Sequence, residues 1–566
     1  MKKKQTEGND MRQALVTSNG DDVQRALVVD EEASQAKAVL KAWHQQPPVH
    51  APHLSLVIAC TACLMMLYGY DFGITAWTVL NIKAKGSEDL TIVYHYLETH
   101  SEVLGVVVAF SSIGGTIGGF SGRLLDGNMG RRREIQLVLS VCIVGALTEG
   151  LCGTVIWKSP GVVIAYALGR LFYGFGLGLS LRCGPMYLRE IVPPSARDSA
   201  MVSIKLSMVI GMVLSYIVGN LIDVKLYGYF GAVMIATVSL LCLHFLPESP
   251  HFMLLHDDKY SRAQVLSVIR FTTPTATLKD LHQLQDEVLT ETLAYVPGAL
   301  MPGTSLPNVP HDFGNGNGHT NGNGHTNGFS EIGNGRPTVA EASRKLPSLT
   351  RAPGMRASLR LTSGLMIFEQ GSGMTALLYY GAVFLADIDF LSVDWGLGLL
   401  GALQLLVAVA VLYSVDPIGR KPLLTWGVFG MAVGAALLAV GAFFGVSTDG
   451  RWEVLIGLYV FTAAYSLGLG ALPWLLISEA FPTCHRAQAI SIVSTAHFGT
   501  QAVMIIALPM MEKYLEYWGM FCVYFAIAVA ANVFAHRYMI ETRGLTVLEV
   551  QRALTVKAGF DIPSES

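Results

Sequence analysis
Polar and apolar positions divide the chain into five stretches. The first is charged and polar, begins MKKKQTEGND and lacks the early apolar run of a signal peptide, so a retained tail over 1–53 is expected. From Leu54 the pattern becomes a succession of apolar stretches, each near the roughly 20 residues that a helix needs to cross a bilayer. Six precede Pro247, at about 54–80, 101–125, 135–157, 161–188, 200–222 and 227–246. Six follow a long polar interval, at about 360–387, 394–415, 422–445, 452–480, 486–512 and 515–540. The expected organisation is a tail (1–53), a six-helix bundle (54–246), a linker (247–357), a second six-helix bundle (358–540) and a second tail (541–566).

The linker has two characters. SRAQVLSVIRF and TLKDLHQLQDEVLTET carry helical periodicity, whereas GNGNGHTNGNGHTNG is low in complexity and reads as a flexible tether. His311, His319 and His325 lie there; histidines spaced along a Gly/Asn tract lack the preorganisation that a metal site needs, and no metal is expected.

Composition removes whole classes of function. Hydrophobic residues make up 52% of the 566 residues and charged residues only 14%. Soluble proteins carry about 25% charged residues, so most of this surface faces lipid. Lys plus Arg (39) nearly balances Asp plus Glu (42), which leaves no bulk field for nucleic acid. No stretch is large enough for a soluble catalytic domain, GLGLS lacks the Lys-Ser/Thr of a phosphate loop, and no cofactor or enzyme activity is expected. The eight Cys make no disulfide framework; Cys60 and Cys63 lie within the first span and read as buried thiols. The denser basic loops (GRRRE, Arg189 and Arg197, GRK, Arg486, Arg537) should be cytoplasmic, against single charges at Lys83, Lys85, Lys158, Lys225, Arg451 and Lys513. Both chain ends and the linker then lie inside.

The two halves repeat. Glu190, Pro193 and Arg197 recur as Glu479, Pro482 and Arg486, an offset of 289 residues shared by Gly130-Arg131-Arg132 and Gly419-Arg420-Lys421. Two motifs at one offset imply two bundles related by an axis along the membrane normal, with a site between them near the midplane. Acids and bases at the loop ends suit a cytoplasmic charge network that latches the halves in the outward-facing state and breaks as they rock.

At this point the chain resembles the sugar porters of the major facilitator superfamily. The resemblance rests on GYDFGI in span 1, DGNMGRRR after span 2, and GRLFYGFGLGLSLRCGPMYLREIVPPSAR through span 4. LPESPHF, EQGSGMTALLYY, DPIGRKPLL, LPWLLISEAFPTCHR and ETRGLTVLE follow in the family's order, covering about 54–550. It implies an all-α membrane protein of major facilitator fold that moves a small polyhydroxylated solute by alternating access. The charge network would comprise Asp126, Arg131, Arg132, Glu190, Arg197, Glu248, Asp416, Arg420, Glu479, Arg486 and Glu541. Two departures stand out: three residues separate Asp126 from Gly130 where two separate Asp416 from Gly419, and His251 and Phe252 replace the Arg and Trp of the family's PESPRW.

In proton-coupled members an acid at the GYD position pairs with the Arg of the span-4 GR. Here these are Asp71 and Arg170, charges inside spans 1 and 4. A pair that separates during the cycle lets the acid gain and release a proton; a static pair would only fix packing. Glu149, in span 3, is a further buried acid whose role the motifs leave open.

The family grips hydroxyls with amides, which both donate and accept. Carried over residue by residue, the set is Lys205 for a Gln, Glu369 for a Gln, Gln370 retained, Thr375 for an Asn, Gln404 for an Asn, and His497 for an Asn, with Trp474 retained. Tyr379 and Tyr380 are expected at an extracellular gate, and Arg182 adds a charge near the site. Lys205 and Glu369 differ from the family with opposite signs, which allows an internal ion pair. Lys205 with Arg182 on a substrate carboxylate, or a sensor that binds without transport, are the alternatives. The expected partners are a sugar or polyol, a proton and the lipid bilayer, with the plasma membrane the default location.

Overall fold
The computed structural model describes residues 52–83, 101–125, 129–154, 161–221, 229–256, 259–274, 276–293, 349, 353–388, 392–445, 451–545 and 547–557. Asp126 and the linker histidines lie outside the described residues, as does the side chain of Arg197.

The first half is built from α1 (Pro52–Lys83), α2 (Ser101–Leu125), α3 (Arg131–Thr154), α4 (Gly161–Ile191), α5 (Pro194–Leu221) and α6 (Tyr229–Leu243). Three short helices follow on the linker side: α7 (Pro250–Leu255), α8 (Arg262–Thr272) and α9 (Leu278–Leu293). They share a small core of their own around Met253, Val265, Leu281 and Val288. Ser261 and Gln264 close a reciprocal capping box that fixes the start of α8.

The second half comprises α10 (Pro353–Gly371), α11 (Met374–Ile388), α12 (Val393–Ile418), α13 (Arg420–Phe444), α14 (Arg451–Leu467), α15 (Leu472–Ala480) and α16 (Thr483–Tyr538); α17 (Val547–Lys557) follows. Among the described residues, nine helices are long and apolar enough to span a membrane, α14 and α15 counting as one. The remaining expected spans take other forms. Span 6 is the 15-residue α6. Span 7 is split into α10 and α11 by Ser372 and Gly373; Gly373 has φ +79, and a Cβ there would run into the Tyr524 ring. Spans 11 and 12 are one assigned helix that turns at Glu516 (φ 54, ψ 177).

Glycines let the helices touch backbone to backbone, as expected of small residues in lipid. In α2, Gly114 and Gly118 lie against Leu171 and Phe175 of α4, while Gly174 and Gly178 of α4 lie against Ser111 and Gly115. Gly69 and Gly211 seal α1 against α5, and Gly427 meets Gly468 between α13 and α14. All eight cysteines are free thiols; Cys60 is buried and donates weakly to the Ser239 carbonyl.

The 289-residue repeat is visible in side-chain geometry. In the first half Arg131 Nε lies 3.5 Å from Glu190 Oε2, the backbone N–H of Arg132 donates to Glu248 Oε1 (3.1 Å), and Ser249 Oγ donates to Glu190 Oε2 (2.5 Å). In the second, Arg420 Nη2 lies 3.0 Å from Glu479 Oε1, the N–H of Lys421 donates to Glu541 Oε2 (3.0 Å), and Thr542 Oγ1 donates to Glu479 Oε2 (2.5 Å). Arg420 also pairs with Asp416 at 3.0 Å. The conformation explains both loop glycines. A Cβ at Gly130 would collide with Glu248 Oε2, and one at Gly419, where φ is +99, would sit 2.7 Å from Glu541 Oε2.

Candidate functional site
Two polar clusters meet at α1. The first surrounds Asp71 and Arg170, both fully buried. Arg170 Nη1 donates to Asp71 Oδ1 at 2.7 Å and to Thr75 Oγ1 at 2.8 Å. Asp71 also accepts from Ser111 Oγ (3.3 Å), Thr75 Oγ1 (3.5 Å) and the Tyr379 hydroxyl (2.6 Å). Tyr379 belongs to α11, so this last bond joins the two halves, and its ring packs edge-on against Phe72 at 5.3 Å. The expected pair is therefore present, and one of the two expected gate tyrosines caps it. Tyr380 is buried beside it in α11. A third charge completes the cluster: Glu149 Oε2 of α3 lies 3.8 Å from Arg170 Nη1. Gly169 makes room for it, since a Cβ there would lie 2.9 Å from Glu149 Cγ.

The second cluster centres on His497 of α16. Tyr68 of α1 shares a 2.9 Å hydrogen bond with His497 Nε2, Gln370 Nε2 lies 3.3 Å from His497 Nδ1, and Glu369 Oε2 lies 3.5 Å from the same nitrogen. The Tyr465 hydroxyl of α14 donates to Glu369 Oε1 at 3.1 Å. The Trp474 ring stands edge-on to His497 at 5.3 Å. Thr375 is buried at the start of α11. Three buried amide atoms make no hydrogen bond among the described residues: Gln370 Oε1, Gln404 Nε2 and Gln501 Nε2. Buried amide groups are seldom left without a partner, so these three atoms are open to a polar group from outside the chain.

Sequence reasoning did not single out Tyr68, Tyr465 or Gln501. Gln501 was within reach, because it follows His497 by four residues and so shares its helix face.

Beside this cluster lies an open cavity lined chiefly by apolar side chains, among them Met65, Pro185, Met208, Val415 and Trp474. Pro185 and Val415 lie close in sequence to Glu190 and Asp416, which puts the cavity on the side of the charge network. Lys205 is the one charged side chain among its described lining residues.

Two expectations need correcting. Lys205 and Glu369 do not form a direct ion pair: Tyr465 stands between them, its ring 5.4 Å from Lys205 Nζ and its hydroxyl on Glu369. The other near contact of Lys205 Nζ is Met208 Sδ at 3.9 Å. Arg182 does not line the cavity. It is fully buried, with Nη2 2.7 Å from Glu134 Oε1 of α3 and Nη1 donating to the Gly122 carbonyl of α2. Glu134 thus neutralises a charge that the sequence left without a partner.

At the rim, the network contacts already described close within each half rather than latching one half to the other. Arg486 donates to the Phe481 carbonyl at 2.9 Å, again within its own half. His251 Nδ1 lies 3.0 Å from the Glu190 carbonyl, and the Phe252 ring sits 5.7 Å from the Arg131 guanidinium, so the two replacements in PESPHF are accommodated locally. Burial pushes the Glu248 carboxyl above its usual range, opposed by the N–H groups of Ser249 and Arg132.

The comparisons with known proteins agree with this architecture. The model of the family described as "Sugar (and other) transporter" matches residues 57–291 and 329–554. The D-xylose-proton symporter-like 1 protein of Arabidopsis thaliana is 26% identical over 499 residues, covering 86% of this chain and 88% of that protein. The glucose transporter GlcP of Staphylococcus epidermidis is 24% identical over 503 residues, covering 87% and 96%. The solved structure of the proton:xylose symporter XylE, of the major facilitator superfamily, bound to 6-bromo-6-deoxy-D-glucose superposes with a TM-score of 0.67 at 19% identity, covering 89% of this chain and 99% of that one. The xylose transporter XylE from E. coli in its inward-open conformation gives 0.63 at 21%, covering 88% and 99%. With two repeated six-helix halves, a buried charge cluster and a polar site beside a cavity between them, the chain belongs to the sugar transporter family and is a multi-pass integral membrane protein of major facilitator fold.

Proposed function
We propose that the protein carries a sugar or closely related polyol across its membrane, the plasma membrane by default, together with a proton. The observation that supports this most directly is the pair of buried amide atoms Gln370 Oε1 and Gln501 Nε2, which make no hydrogen bond among the described residues, in the cluster where the His497 ring meets the Trp474 ring. Hydroxyl groups donate and accept at once and satisfy such atoms, while an aromatic face receives the apolar side of a sugar ring. His497 lies against the Gln370 amide and Tyr68 donates to that of Gln501, while Tyr465 donates to Glu369. Lys205 lies at the edge of the site, on the cavity wall.

The conformation described here is read as inward-facing. The cavity lies on the cytoplasmic side, the Tyr379–Asp71 contact holds the opposite side closed, and the rim charges have retired into their own halves. In the outward-facing form the same rim charges meet across the gap. Asp71 and Arg170 couple this exchange to the proton, because a carboxylate released from its Arg inside a helix bundle must be neutralised by a proton.

Uptake by purified protein in vesicles, screened over hexoses, pentoses, inositols and organic acids with and without a pH gradient, tests the reading. Wild type should concentrate a neutral sugar or polyol when the gradient is imposed. Asp71→Asn should lose concentrative uptake and keep exchange. Concentrative uptake unchanged in Asp71→Asn would remove the proton assignment. Binding without flux for every solute would make the protein a sensor, and inhibition by carboxylated solutes alone would make Lys205 an anion anchor.

A further inference from the structure
The coupling pair faces a second acid that the proposed cycle has not yet used. Glu149 is fully buried in α3, and neither carboxylate oxygen makes a hydrogen bond among the described residues. Its near charge is the Arg170 guanidinium at 3.8 Å, while that guanidinium is 2.7 Å from Asp71. Asp71 receives donors from Arg170, Ser111, Thr75 and Tyr379; Glu149 receives none of comparable quality. One guanidinium cannot neutralise two buried carboxylates, and a buried carboxylate without donors is far costlier than the neutral acid.

We propose that Glu149 is the second station of the transported proton and holds it in the inward-facing form. The proposal rests on the proton-coupled reading given above. The proton arrives on the Asp71 carboxyl while Arg170 pairs with Glu149. Arg170 then moves to Asp71, which becomes the carboxylate, and the same proton resides on Glu149. The Arg–Asp–Glu group stays neutral throughout this exchange. Release of that proton to the inner bath leaves Arg170 between two carboxylates, with a net charge of −1, and re-forming the first state takes up a new proton outside.

The surroundings fit this role. The groups facing Glu149 are Arg170, Tyr166 and Tyr173 from α4, Tyr229 from α6, Asp71 from α1, and Cys142 and Cys152 along its own helix. The Tyr229 hydroxyl lies 3.4 Å from Arg170 Nη1 and 3.0 Å from the Tyr166 hydroxyl, which supplies a polar route along the Arg170 side. Asp71 and Arg170 are the only other charged groups in this set, so no additional base is needed to explain where the proton goes.

Two measurements test the assignment. Infrared spectroscopy of the full-length protein in lipid at neutral pH should show the C=O stretch of a protonated carboxylic acid that changes frequency in Glu149→Asp. Absence of such a band overturns the proposal, whether or not transport is proton-coupled. In vesicles, Glu149→Gln should reduce pH-driven accumulation by about tenfold or more while counterflow persists, and Glu149→Asp should restore part of it. Accumulation and pH profile equal to wild type in Glu149→Gln would make Glu149 a packing residue. If wild type itself ignores the pH gradient, the proton-coupled reading fails, and the infrared band alone still decides which residue is protonated.

Discussion
Removing Glu134 should destabilise the first half strongly and leave the solute site intact. Arg182 and Glu134 are both fully buried, with a 2.7 Å contact between Nη2 and Oε1 and 2.8 Å between Nε and Oε1. At an effective dielectric constant of about 20, charges about 4 Å apart attract by about 4 kcal/mol, which offsets much of the cost of dehydrating both ions. Glu134→Ala leaves the guanidinium facing the Gly122 carbonyl, and loss of one partner of a buried pair costs about 3–5 kcal/mol. For a folding unit the size of a six-helix half, about 2–4 °C accompany each kcal/mol, so the melting temperature should fall by about 6–20 °C. The double variant Glu134→Leu/Arg182→Met removes both charges and should recover most of the loss. Detergent-solubilised thermal melts followed by size-exclusion fluorescence measure the shift, and vesicle uptake measures function. If Arg182→Met melts like wild type yet loses solute binding, Arg182 serves the solute and the pairing argument is wrong.

Two further outcomes follow from the geometry. Tyr379→Phe removes a 2.6 Å donor from the Asp71 carboxylate and the contact that joins the two halves there, a bond to charge worth about 1.5–3 kcal/mol, so the rate of pH-driven uptake should change by about tenfold or more. A rate equal to wild type would argue against this contact as part of the coupling cycle. Gly419→Ala forces a side chain into a backbone region open almost only to glycine and places it 2.7 Å from Glu541 Oε2, so a loss of at least about 1–3 kcal/mol is expected in thermal melts. Gly398→Ala, where no atom lies within 4 Å, is the control and should melt like wild type or slightly higher.

Much of the fold was legible because lipid imposes a coarse rule on sequence. Apolar length gave the spans, and the Glu190/Glu479 offset gave the two halves. The same offset then reappeared as matched contacts to Glu248 and Glu541. The Asp71–Arg170 pair was legible because a charge within a span needs a partner, and few were on offer. What escaped was partner choice over long separations. Glu134 precedes Arg182 by 48 residues, on a neighbouring helix whose rotation the apolar pattern does not fix. Lys205 and Glu369 suggested a direct pair by sign alone, but sign says nothing of the Tyr465 ring between them. The break at Gly373 escaped for a different reason, whereas the turn at Glu516 falls beside the boundary expected between spans 11 and 12. A glycine-containing apolar stretch reads the same whether its backbone continues or turns, and only packing such as Tyr524 on Gly373 decides.

The helix beyond the last crossing ties down the end of the second bundle. Lys557 Nζ donates to the Met539 carbonyl at 2.6 Å, and Gln551 Nε2 donates to the Ala480 carbonyl at 2.9 Å, at the C-terminal end of the short helix that carries Trp474. A reporter fused directly after Tyr538 would strip away Glu541 and Thr542 as well, and with them the staples on Lys421 and Glu479. Fusions placed beyond Lys557 spare these anchors, so the point of attachment decides whether a labelled protein still behaves as a carrier.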